Sequence, residues 1–264
     1  MKLGFIGLGN MAKAMISGML AKETAKPGEI IGCARTCATC GEVREKYGIE
    51  IREDNKAVAA ESDILVLAVK PQVLEGVISE IKDSIREETL VVSIAAGKTL
   101  GWLEAAFGRS LKLVRCMPNT PAMAGAGCSG VCRNQRVSEE EMGQCMKLAE
   151  SFGMAEEIPE KLIDAVGAVS GSSPAFVFMF IEALADGGVK AGMPRSQAYR
   201  FAAQAVYGSA KLMLETGKHP GELKDMVCSP GGTTIEGVQA LEEFGLRCGV
   251  MKAVGSCVEK SKKM

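Results

Sequence analysis

Short, wholly apolar runs alternate with amphipathic stretches through the first 160 residues of the chain. Residues 64–69 read Ile-Leu-Val-Leu-Ala-Val, without a polar position, as expected for a parallel strand that is covered on both faces. Stretches with helical spacing separate this run from its neighbours. The alternation predicts a doubly wound α/β sheet of the Rossmann type. Its strands are predicted at residues 2–6, 29–34, 49–51, 64–69, 90–94, 111–116, 127–133 and 154–158.

Beyond residue 160 the strand pattern stops, and the remaining residues read as helices separated by glycine and proline. We therefore predict two domains, residues 1–159 and residues 160–264. In the second, Ser173 is the expected N-cap of a helix, with Pro174 at its first position. The sequence at 176–181, Phe-Val-Phe-Met-Phe-Ile, is apolar on every side, which a helical domain of that size cannot bury alone. It predicts a subunit interface.

Composition narrows the choice of partners. The 264 residues carry 31 basic and 32 acidic side chains, a net charge of -1, which gives no electrostatic footprint for nucleic acid or for an anionic membrane. The apolar run after Lys2 is short and broken by glycine, so we do not expect a signal peptide, nor any segment that spans a membrane. We expect a cytoplasmic globular protein whose ligands are small molecules.

The turn after the first strand, Gly-Leu-Gly-Asn-Met-Ala at residues 7–12, has the G-x-G-x-x-A pattern of a dinucleotide-binding βα unit. Gly7 would allow the tight turn, Gly9 would let the backbone approach a pyrophosphate, and Ala12 would allow close packing of the helix. The free N–H groups of the helix start would then bind the phosphates. On this pattern alone, an ordinary glycine turn is the alternative.

The end of the second predicted strand bears on cofactor choice. A site selective for NAD usually has an acidic residue there, which binds the ribose 2'-hydroxyl. Here the residues are Ala34, Arg35 and Thr36, and an arginine with a hydroxyl suits a 2'-phosphate instead. The predicted cofactor is NADPH, with NADH as the alternative. A solvated loop arginine is the other interpretation.

The ten cysteines suit reduced thiols better than a disulfide framework. Cys33, Cys37 and Cys40 have a C-x3-C-x2-C spacing that is similar to the iron–sulfur ligands of radical enzymes, and the last two form a C-x-x-C. No fourth ligand cluster follows them. Ordinary loop and core thiols are therefore the favoured interpretation.

Ligands of doubly wound sheets bind outside the carboxyl ends of the strands. Residues 7–11, 68–71, 95–97 and 118–119 all follow predicted strands, so we expect them to meet at that edge. The residues at 95–97, Ala-Ala-Gly, are small enough for a flat ring to lie close. This shared location supports the interpretation of the glycine turn as one part of a ligand-binding cleft.

A second loop, far along the chain, also contains groups suited to binding a ligand. Residues 228–236 read Cys-Ser-Pro-Gly-Gly-Thr-Thr-Ile-Glu, and Thr233 and Glu236 have the spacing of a capping box. Free backbone N–H groups are expected at this helix start, flanked by the hydroxyls of Ser229 and Thr234. The assembly suits a small carboxylate. A plain helix cap after a flexible loop is the alternative.

Across essentially its full length the chain resembles the pyrroline-5-carboxylate reductases. The resemblance is carried by GFIGLGNMA at 4–12, AVKP at 68–71, SIAAG at 93–97, MPNTP at 117–121, ALADGGVKAGMPR at 183–195 and HPGELKDMVCSPGGTTIEG at 219–237. The last two are far more specific than the glycine turn. One departure is Ser173, where the family usually has glycine in G-S-G-P-A.

The resemblance implies that NADPH or NADH reduces 1-pyrroline-5-carboxylate to L-proline, the last step of proline biosynthesis. It also implies a Rossmann domain and a helical substrate-binding domain that interleaves with a partner's in a homodimer, often assembled further into a homodecamer. The implied cofactor-binding residues are Ile6, Gly7, Leu8, Gly9, Asn10, Met11, Ala34, Arg35, Thr36, Asn55, Ala68, Val69, Lys70, Ala95, Ala96, Gly97 and Asn119. The implied substrate-binding residues are Ser229, Gly231, Gly232, Thr233 and Thr234.

Hydride addition to a C=N carbon needs positioning more than a strong base, which fits the scarcity of acid–base residues. We expect Thr234 to orient the imine nitrogen. Lys70 is a second catalytic candidate, contributing charge beside the cofactor. The single histidine, His219, precedes Pro220 at a helix entry, so its predicted role is structural.

Three rival interpretations are weighed against this one. Dehydrogenases of the 3-hydroxyacid and phosphogluconate type resemble one another in a helix that carries a catalytic lysine with an asparagine nearby. The corresponding residues here, 176–186, include neither lysine nor asparagine. An NADP-binding regulator would have lost the substrate loop, which is intact at 229–234. A cluster-binding redox protein would depend on Cys33, Cys37 and Cys40.

Overall fold

Eight strands form one sheet in the computed structural model, which describes residues 1–263. The strands are β1 (Leu3–Ile6), β2 (Ile30–Cys33), β3 (Glu50–Ile51), β4 (Ile64–Leu67), β5 (Leu90–Ser93), β6 (Lys112–Met117), β7 (Gly127–Arg133) and β8 (Gly153–Glu157). Their order is β3-β2-β1-β4-β5-β6-β7-β8. The predicted Rossmann-type sheet is confirmed.

The pairing of β6 with β7 is antiparallel, while every other neighbouring pair is parallel. Only a 3₁₀ helix (Thr120–Ala124) joins β6 to β7. A parallel connection needs a crossover of a dozen or more residues, so a link this short makes the chain reverse. The late strands predicted at 127–133 and 154–158 thus join the sheet in the opposite direction.

Helices cover both faces of the sheet. They are α1 (Asn10–Ala21), α2 (Cys37–Tyr47), α3 (Asn55–Glu61), α4 (Pro71–Ile81), α5 (Leu100–Phe107), α6 (Glu139–Glu150) and α7 (Ile163–Val166). Successive strand residues point to opposite faces, so Phe5 belongs to one hydrophobic core and Ile6 to the other. Both side chains are fully buried. This two-sided burial explains why the strands are apolar throughout.

Helix α6 begins as its sequence predicts. The Glu141 N–H donates to Ser138 Oγ at 3.2 Å, and the Ser138 N–H donates to Glu141 Oε2 at 2.9 Å. This reciprocal pair is a capping box.

The described chain divides into two compact units, one of residues 1–172 with the segment from Ser256 onward, and one of residues Ser173–Gly255. The first unit includes residues beyond 160, because Val166 lies against Gly130 of β7 and Gly167 lies against Met117 of β6. The domain boundary after residue 159 stays a prediction.

The second unit is helical. Its residues come from α8 (Ser173–Lys190), α9 (Arg195–Thr216), α10 (Pro220–Val227), α11 (Thr233–Glu243) and the first part of α12 (Leu246–Ser261). Its hydrophobic core is small, built on Ala185, Ala198 and Ala202. Large apolar side chains stay exposed instead, among them Phe178 at 65% and Phe244 at 92%. A unit with so little internal core leaves its apolar faces for another surface to cover.

The prediction that Ser173 caps a new helix is wrong. Residues Gly167–Ser172 form a π-helix that leads directly into α8 at Ser173. The hydroxyl of Ser170 donates to the Val166 carbonyl at 2.8 Å, and that of Ser172 to the Gly167 carbonyl at 3.4 Å. Both hydroxyls donate to carbonyls of the preceding turn. The helix therefore continues through a segment whose serines, glycine and proline suggest a helix break.

The continuous helix has a consequence for the membrane prediction. Within the described residues, the run Glu160–Lys190 is long and apolar enough to cross a membrane by length and composition alone, since an 18-residue window within it has a mean hydropathy of 1.5. The expected break at Ser173 would have left two shorter segments. The absence of a membrane span therefore stays a prediction.

An ion pair joins strand β6 to Glu160, which lies just after the end of β8. Arg115 of β6 is 5% exposed, and its Nη1 lies 2.7 Å from Glu160 Oε1. The same carboxylate oxygen accepts the N–H of Leu100, at the start of α5, at 2.7 Å. A buried guanidinium without its carboxylate is costly.

We predict that Glu160→Ala lowers the free energy of unfolding by about 2 to 3 kcal/mol, because it leaves the buried Arg115 charge uncompensated. Urea denaturation at fixed protein concentration measures it. The control is Glu139→Ala, whose carboxylate pairs with Arg133 but is 87% exposed, and which should change stability by less than about 0.5 kcal/mol. Equal effects of the two variants would contradict the role given to Glu160.

Candidate functional site

The glycine turn after β1 brings three strand ends together. Gly7 has a φ of 94°, and its N–H donates to the Cys33 carbonyl at 2.9 Å. A Cβ at this position would lie 2.7 Å from the Ala68 carbonyl oxygen. Both the positive φ and the close approach require glycine here.

Gly9 begins α1 without a side-chain cap. It is the N-cap residue, with a φ of -76° and a ψ of -174°. A Cβ at Gly9 would meet no atom within 4 Å, so the helix start opens onto free space. The first-turn N–H groups and the helix dipole therefore favour an anion at this point. These features fit the pyrophosphate of a dinucleotide.

A cleft of about 780 Å³ opens at this edge of the sheet. It is lined by twelve of the predicted cofactor-binding residues: Ile6, Gly7, Leu8, Gly9, Asn10, Ala34, Arg35, Thr36, Asn55, Ala68, Val69 and Lys70. The cleft thus brings together residues that are up to 64 positions apart, from Ile6 to Lys70. The volume is in the range of a pocket for a drug-sized or larger ligand.

The wall beside β2 has the polar groups expected for a 2'-phosphate. Arg35 is exposed, and in the described part of the chain no hydrogen bond or ion pair engages its side chain. Thr36 caps α2 by accepting the Thr39 N–H at 3.3 Å, and the two threonine hydroxyls lie 2.9 Å apart. A guanidinium and two hydroxyls here suit a phosphate monoester.

Another part of the cleft lining comes from the start of α3 and from one side of α4. Asn55 Nδ2 donates to Glu80 Oε2 at 2.9 Å. Asp54 caps α3, its Oδ1 accepting the Ala57 N–H at 2.8 Å. Asp54, Asn55 and Glu80 all line the cleft, and neighbouring donors hold both carboxylates.

Eight further residues line the cleft that sequence reasoning did not assign to it: Lys13, Cys33, Thr39, Glu53, Asp54, Val73, Val77 and Glu80. Lys13 is the most informative. Its Nζ lies 2.7 Å from both oxygens of Glu42, and this bond lowers the pKa of the Glu42 carboxyl. Lys13 is four residues after Gly9, so the helical period would have placed it on the same face.

Five predicted cofactor residues are not among the described residues that line the cleft: Met11, Ala95, Ala96, Gly97 and Asn119. The Asn119 side chain is buried and engaged elsewhere. Its Nδ2 donates to the Ser170 carbonyl at 2.9 Å, and its Oδ1 accepts the Cys128 N–H at 2.8 Å. Because both ends of the amide are occupied, Asn119 holds the π-helical turn to β7. Its cofactor role stays a prediction.

The predicted substrate loop lies in the second unit. Gly231 has a φ of 66°, and the Gly232 N–H donates to the Ser229 carbonyl at 3.0 Å. A Cβ at Gly232 would lie 2.4 Å from Ser229 Oγ and would displace that hydroxyl. The loop therefore turns tightly into α11.

The capping box predicted for Thr233 and Glu236 is wrong. Gly232 is the N-cap of α11 and Thr233 its first residue, and no side-chain hydrogen bond caps the helix. The extended conformation of Gly232, with a φ of -82° and a ψ of 169°, moves the helix start back by one residue. The first-turn N–H groups stay available, which suits an anion as the sequence predicts.

The remaining candidates have simpler positions. His219 Nδ1 accepts the Gly221 N–H at 3.1 Å and caps α10, which confirms its structural role. Lys70 is exposed at the N-cap position of α4, before Pro71. Among residues 1–263, no group of three or more His, Cys, Asp and Glu side chains is placed to hold a metal ion.

Comparison with known families divides the chain in two. Residues 160–264 match the family model described as pyrroline-5-carboxylate reductase dimerisation. Residues 2–97 match the family described as NADP oxidoreductase, coenzyme F420-dependent. The chain is also similar to a pyrroline-5-carboxylate reductase of Escherichia coli (strain K12), with 51% identity over 100% of this chain and 98% of the relative. The reductase of Methanosarcina acetivorans is 45% identical over 100% and 97% of the two chains.

Solved structures agree with the sequence relatives. The pyrroline-5-carboxylate reductase of Coxiella burnetii has a TM-score of 0.92 and 33% identity, covering 99% of this chain and 97% of that one. The Plasmodium falciparum pyrroline carboxylate reductase with NADP bound has a TM-score of 0.90 and 34% identity, with the same coverage.

We predict that Gly9→Ala raises the Kd for NADPH at least about tenfold, because its methyl group points into the space beside the helix start. The stability of the protein should change little, since the φ of Gly9 is open to any residue and the Cβ meets no atom. Fluorescence titration with NADPH measures the Kd.

The matched control is Gly28→Ala, another position where a Cβ meets no atom within 4 Å, outside the cleft lining. This variant should bind NADPH like the wild type. An unchanged Kd in Gly9→Ala would remove the α1 start from the cofactor site.

Proposed function

The chain belongs to the pyrroline-5-carboxylate reductase family, and on that premise we propose that it reduces 1-pyrroline-5-carboxylate to L-proline with NADPH, or with NADH as a poorer substitute. It is an NAD(P)H-dependent oxidoreductase of proline biosynthesis. The full-length similarity to curated reductases is the observation that carries the proposal. The retention of two uncapped helix starts, at Gly9 and at Gly232, supports it.

In the proposed cofactor site, the first-turn N–H groups of α1 bind the pyrophosphate. Arg35 and the Thr36 hydroxyl bind the 2'-phosphate, and Asn55 contacts the adenosine half. Ala68, Val69 and Lys70 lie along the same cleft, and residues 95–97 are proposed to border the nicotinamide half. When bound, the cofactor supplies the hydride that the C=N carbon receives.

In the proposed substrate site, the first N–H groups of α11 and the Ser229 hydroxyl bind the carboxylate of the pyrroline. Gly231 and Gly232 let the backbone approach, and Thr233 contributes its N–H. The Thr234 hydroxyl orients the imine nitrogen, which ends the reaction as a protonated secondary amine. Holding the reacting atoms in position supplies most of the rate gain, so no strong acid is required of the protein. Lys70 contributes positive charge near the cofactor.

The chain self-associates, since its C-terminal part is a dimerisation region. We propose a homodimer that buries the exposed apolar side chains of the second unit, including Phe178 and Met179 of α8. Further assembly to a homodecamer, a cytoplasmic location, and the absence of nucleic-acid and membrane partners are proposed on the same basis. The exposed apolar side chains of α8, within the run Glu160–Lys190, are then covered by a partner subunit rather than by lipid.

The direct test is the consumption of NADPH by purified protein. Oxidation of NADPH should depend on added 1-pyrroline-5-carboxylate, and proline should appear in equal amount. A 3-hydroxyacid in place of the pyrroline tests the rival dehydrogenase, and the account expects no turnover with NADP⁺. Absence of turnover with the pyrroline at any NADPH concentration would refute the proposed reaction.

We predict that Thr234→Ala lowers kcat about 100-fold, at the lower end of the effect of one positioned hydrogen-bonding group. The Kd for NADPH should stay within about twofold, because the residue does not line the cofactor cleft. Steady-state kinetics and fluorescence titration measure the two constants. Thr234→Ser keeps the hydroxyl and should retain most of the activity; equal losses in both variants would remove that hydroxyl from the mechanism.

We predict that Arg35→Ala raises the KM for NADPH at least about tenfold and leaves the KM for NADH nearly unchanged, because only NADPH carries the 2'-phosphate. Initial rates with each cofactor give the comparison. The control is Arg44→Ala, an exposed arginine on the same helix–loop segment outside the cleft lining. Parallel changes in both KM values would contradict the 2'-phosphate assignment.

A further inference from the structure

Two cysteines lie against one carbonyl oxygen in the wall of the cleft. Cys33 ends β2 and is 7% exposed, and Cys40 lies in the first turns of α2, half-buried. Their Sγ atoms contact the Ala34 carbonyl oxygen at 4.0 and 3.6 Å. The two thiols therefore lie close to the same carbonyl group, and close enough to each other for an electrostatic interaction. Neither has a part in the proposed reaction.

The segment between these cysteines belongs to the cofactor cleft. Residues 34–36 line it, and Arg35 is the residue proposed to bind the 2'-phosphate. The Cys33 carbonyl also accepts the N–H of Gly7, which anchors the glycine turn. A bond between these two thiols would therefore act directly on two parts of the cofactor site, the segment 34–36 and the glycine turn.

We propose that Cys33 and Cys40 form a reversible disulfide when the protein meets a small-molecule disulfide, and that this disulfide weakens NADPH binding. The inference rests on the proposed function only in assigning NADPH to this cleft. It gives the reductase a thiol-based control of cofactor affinity.

The chemistry proceeds in two exchange steps. Cys40, the more exposed thiol, loses its proton and attacks the small disulfide, so that a mixed disulfide forms and one small thiolate leaves. Cys33 then attacks the Cys40 sulfur and displaces the second small thiolate. The protein loses two protons and two electrons, and the small disulfide becomes two thiols. Burial, with the nearby Cys40, raises the pKa of the Cys33 thiol, which favours Cys40 as the thiol that attacks first.

The expected effect on the cleft follows from hydrogen bonding. In the reduced protein, both S–H groups point to the Ala34 carbonyl oxygen. The disulfide has no S–H donor, so this carbonyl loses both partners and faces two sulfur lone pairs. The peptide between Ala34 and Arg35 is then free to reorient, and the guanidinium moves with it.

Trypsin separates the two cysteines, which makes the linkage easy to read. Cleavage after Arg35 places Cys33 in peptide 23–35 and Cys40 in peptide 36–44, together with Cys37. The whole protein is incubated with oxidised glutathione and mapped by mass spectrometry without reduction. Fragmentation of the linked peptide pair assigns the bond. A bond within peptide 36–44 instead, joining Cys37 to Cys40, would overturn the proposal.

The Kd for NADPH is measured by fluorescence before oxidation, after it, and after reduction with dithiothreitol. Wild type and Cys37→Ser, which keeps the pair, should lose affinity at least about fivefold on oxidation and recover it on reduction. Cys40→Ser should keep its affinity throughout. An unchanged Kd in the linked wild type, or an equal loss in Cys40→Ser, would overturn the proposal.

Failure of this inference is distinguishable from failure of the proposed function. Reduced protein that binds NADPH without reducing the pyrroline refutes the reaction and leaves the thiol pair standing. Fully active reduced protein whose affinity for NADPH does not respond to the Cys33–Cys40 bond refutes the thiol pair alone.

Discussion

The close approach of β1, β2 and β4 at Gly7 is the constraint on which the cofactor cleft depends. The Gly7 N–H bonds the end of β2, and its missing side chain leaves room for the Ala68 carbonyl at the end of β4. Any Cβ there would push the strands apart. Because the strands are parallel, their carboxyl ends and the loops that follow them open at one edge, with the uncapped start of α1 at its centre. Binding of an anionic dinucleotide follows from that backbone geometry before any side chain is considered.

Much of this arrangement could be predicted because its causes are local. A run such as residues 64–67 has no polar position, and the strand is buried on both faces. Ser138 and Glu141 make the capping box that their spacing predicts, and the helices around Gly48 and Gly217 end at left-handed glycines. The cleft itself was predicted by a topological rule, that ligands bind where strand ends meet, rather than by any one motif. Of the residues that this rule selects, seven line the cleft, at 7–10 and 68–70.

The errors arise where tertiary contacts override local chemistry. Ser173 and Pro174 have the composition of a helix start, yet the π-helical turn before them continues into α8, held by serine hydroxyls and by the Asn119 amide. Asn119 follows a strand end, and its amide bonds to β7 and to the π-helical turn, while its cofactor role stays a prediction. Helix α11 begins one residue early because Gly232 adopts the extended cap conformation itself. By contrast, the apolar run at 176–181 predicted a subunit interface, and the region matches a dimerisation family.

The central claim is that hydride passes from the nicotinamide to the C=N carbon of a pyrroline carboxylate. The most direct measurement uses NADPH deuterated at both positions of the dihydronicotinamide C4, with 1-pyrroline-5-carboxylate in ordinary water. The account predicts proline that carries a single deuterium, on the ring carbon next to nitrogen and away from the carboxylate, as NMR and mass spectrometry would show. Proline without deuterium at that carbon, or NADPH oxidation without proline, would contradict it.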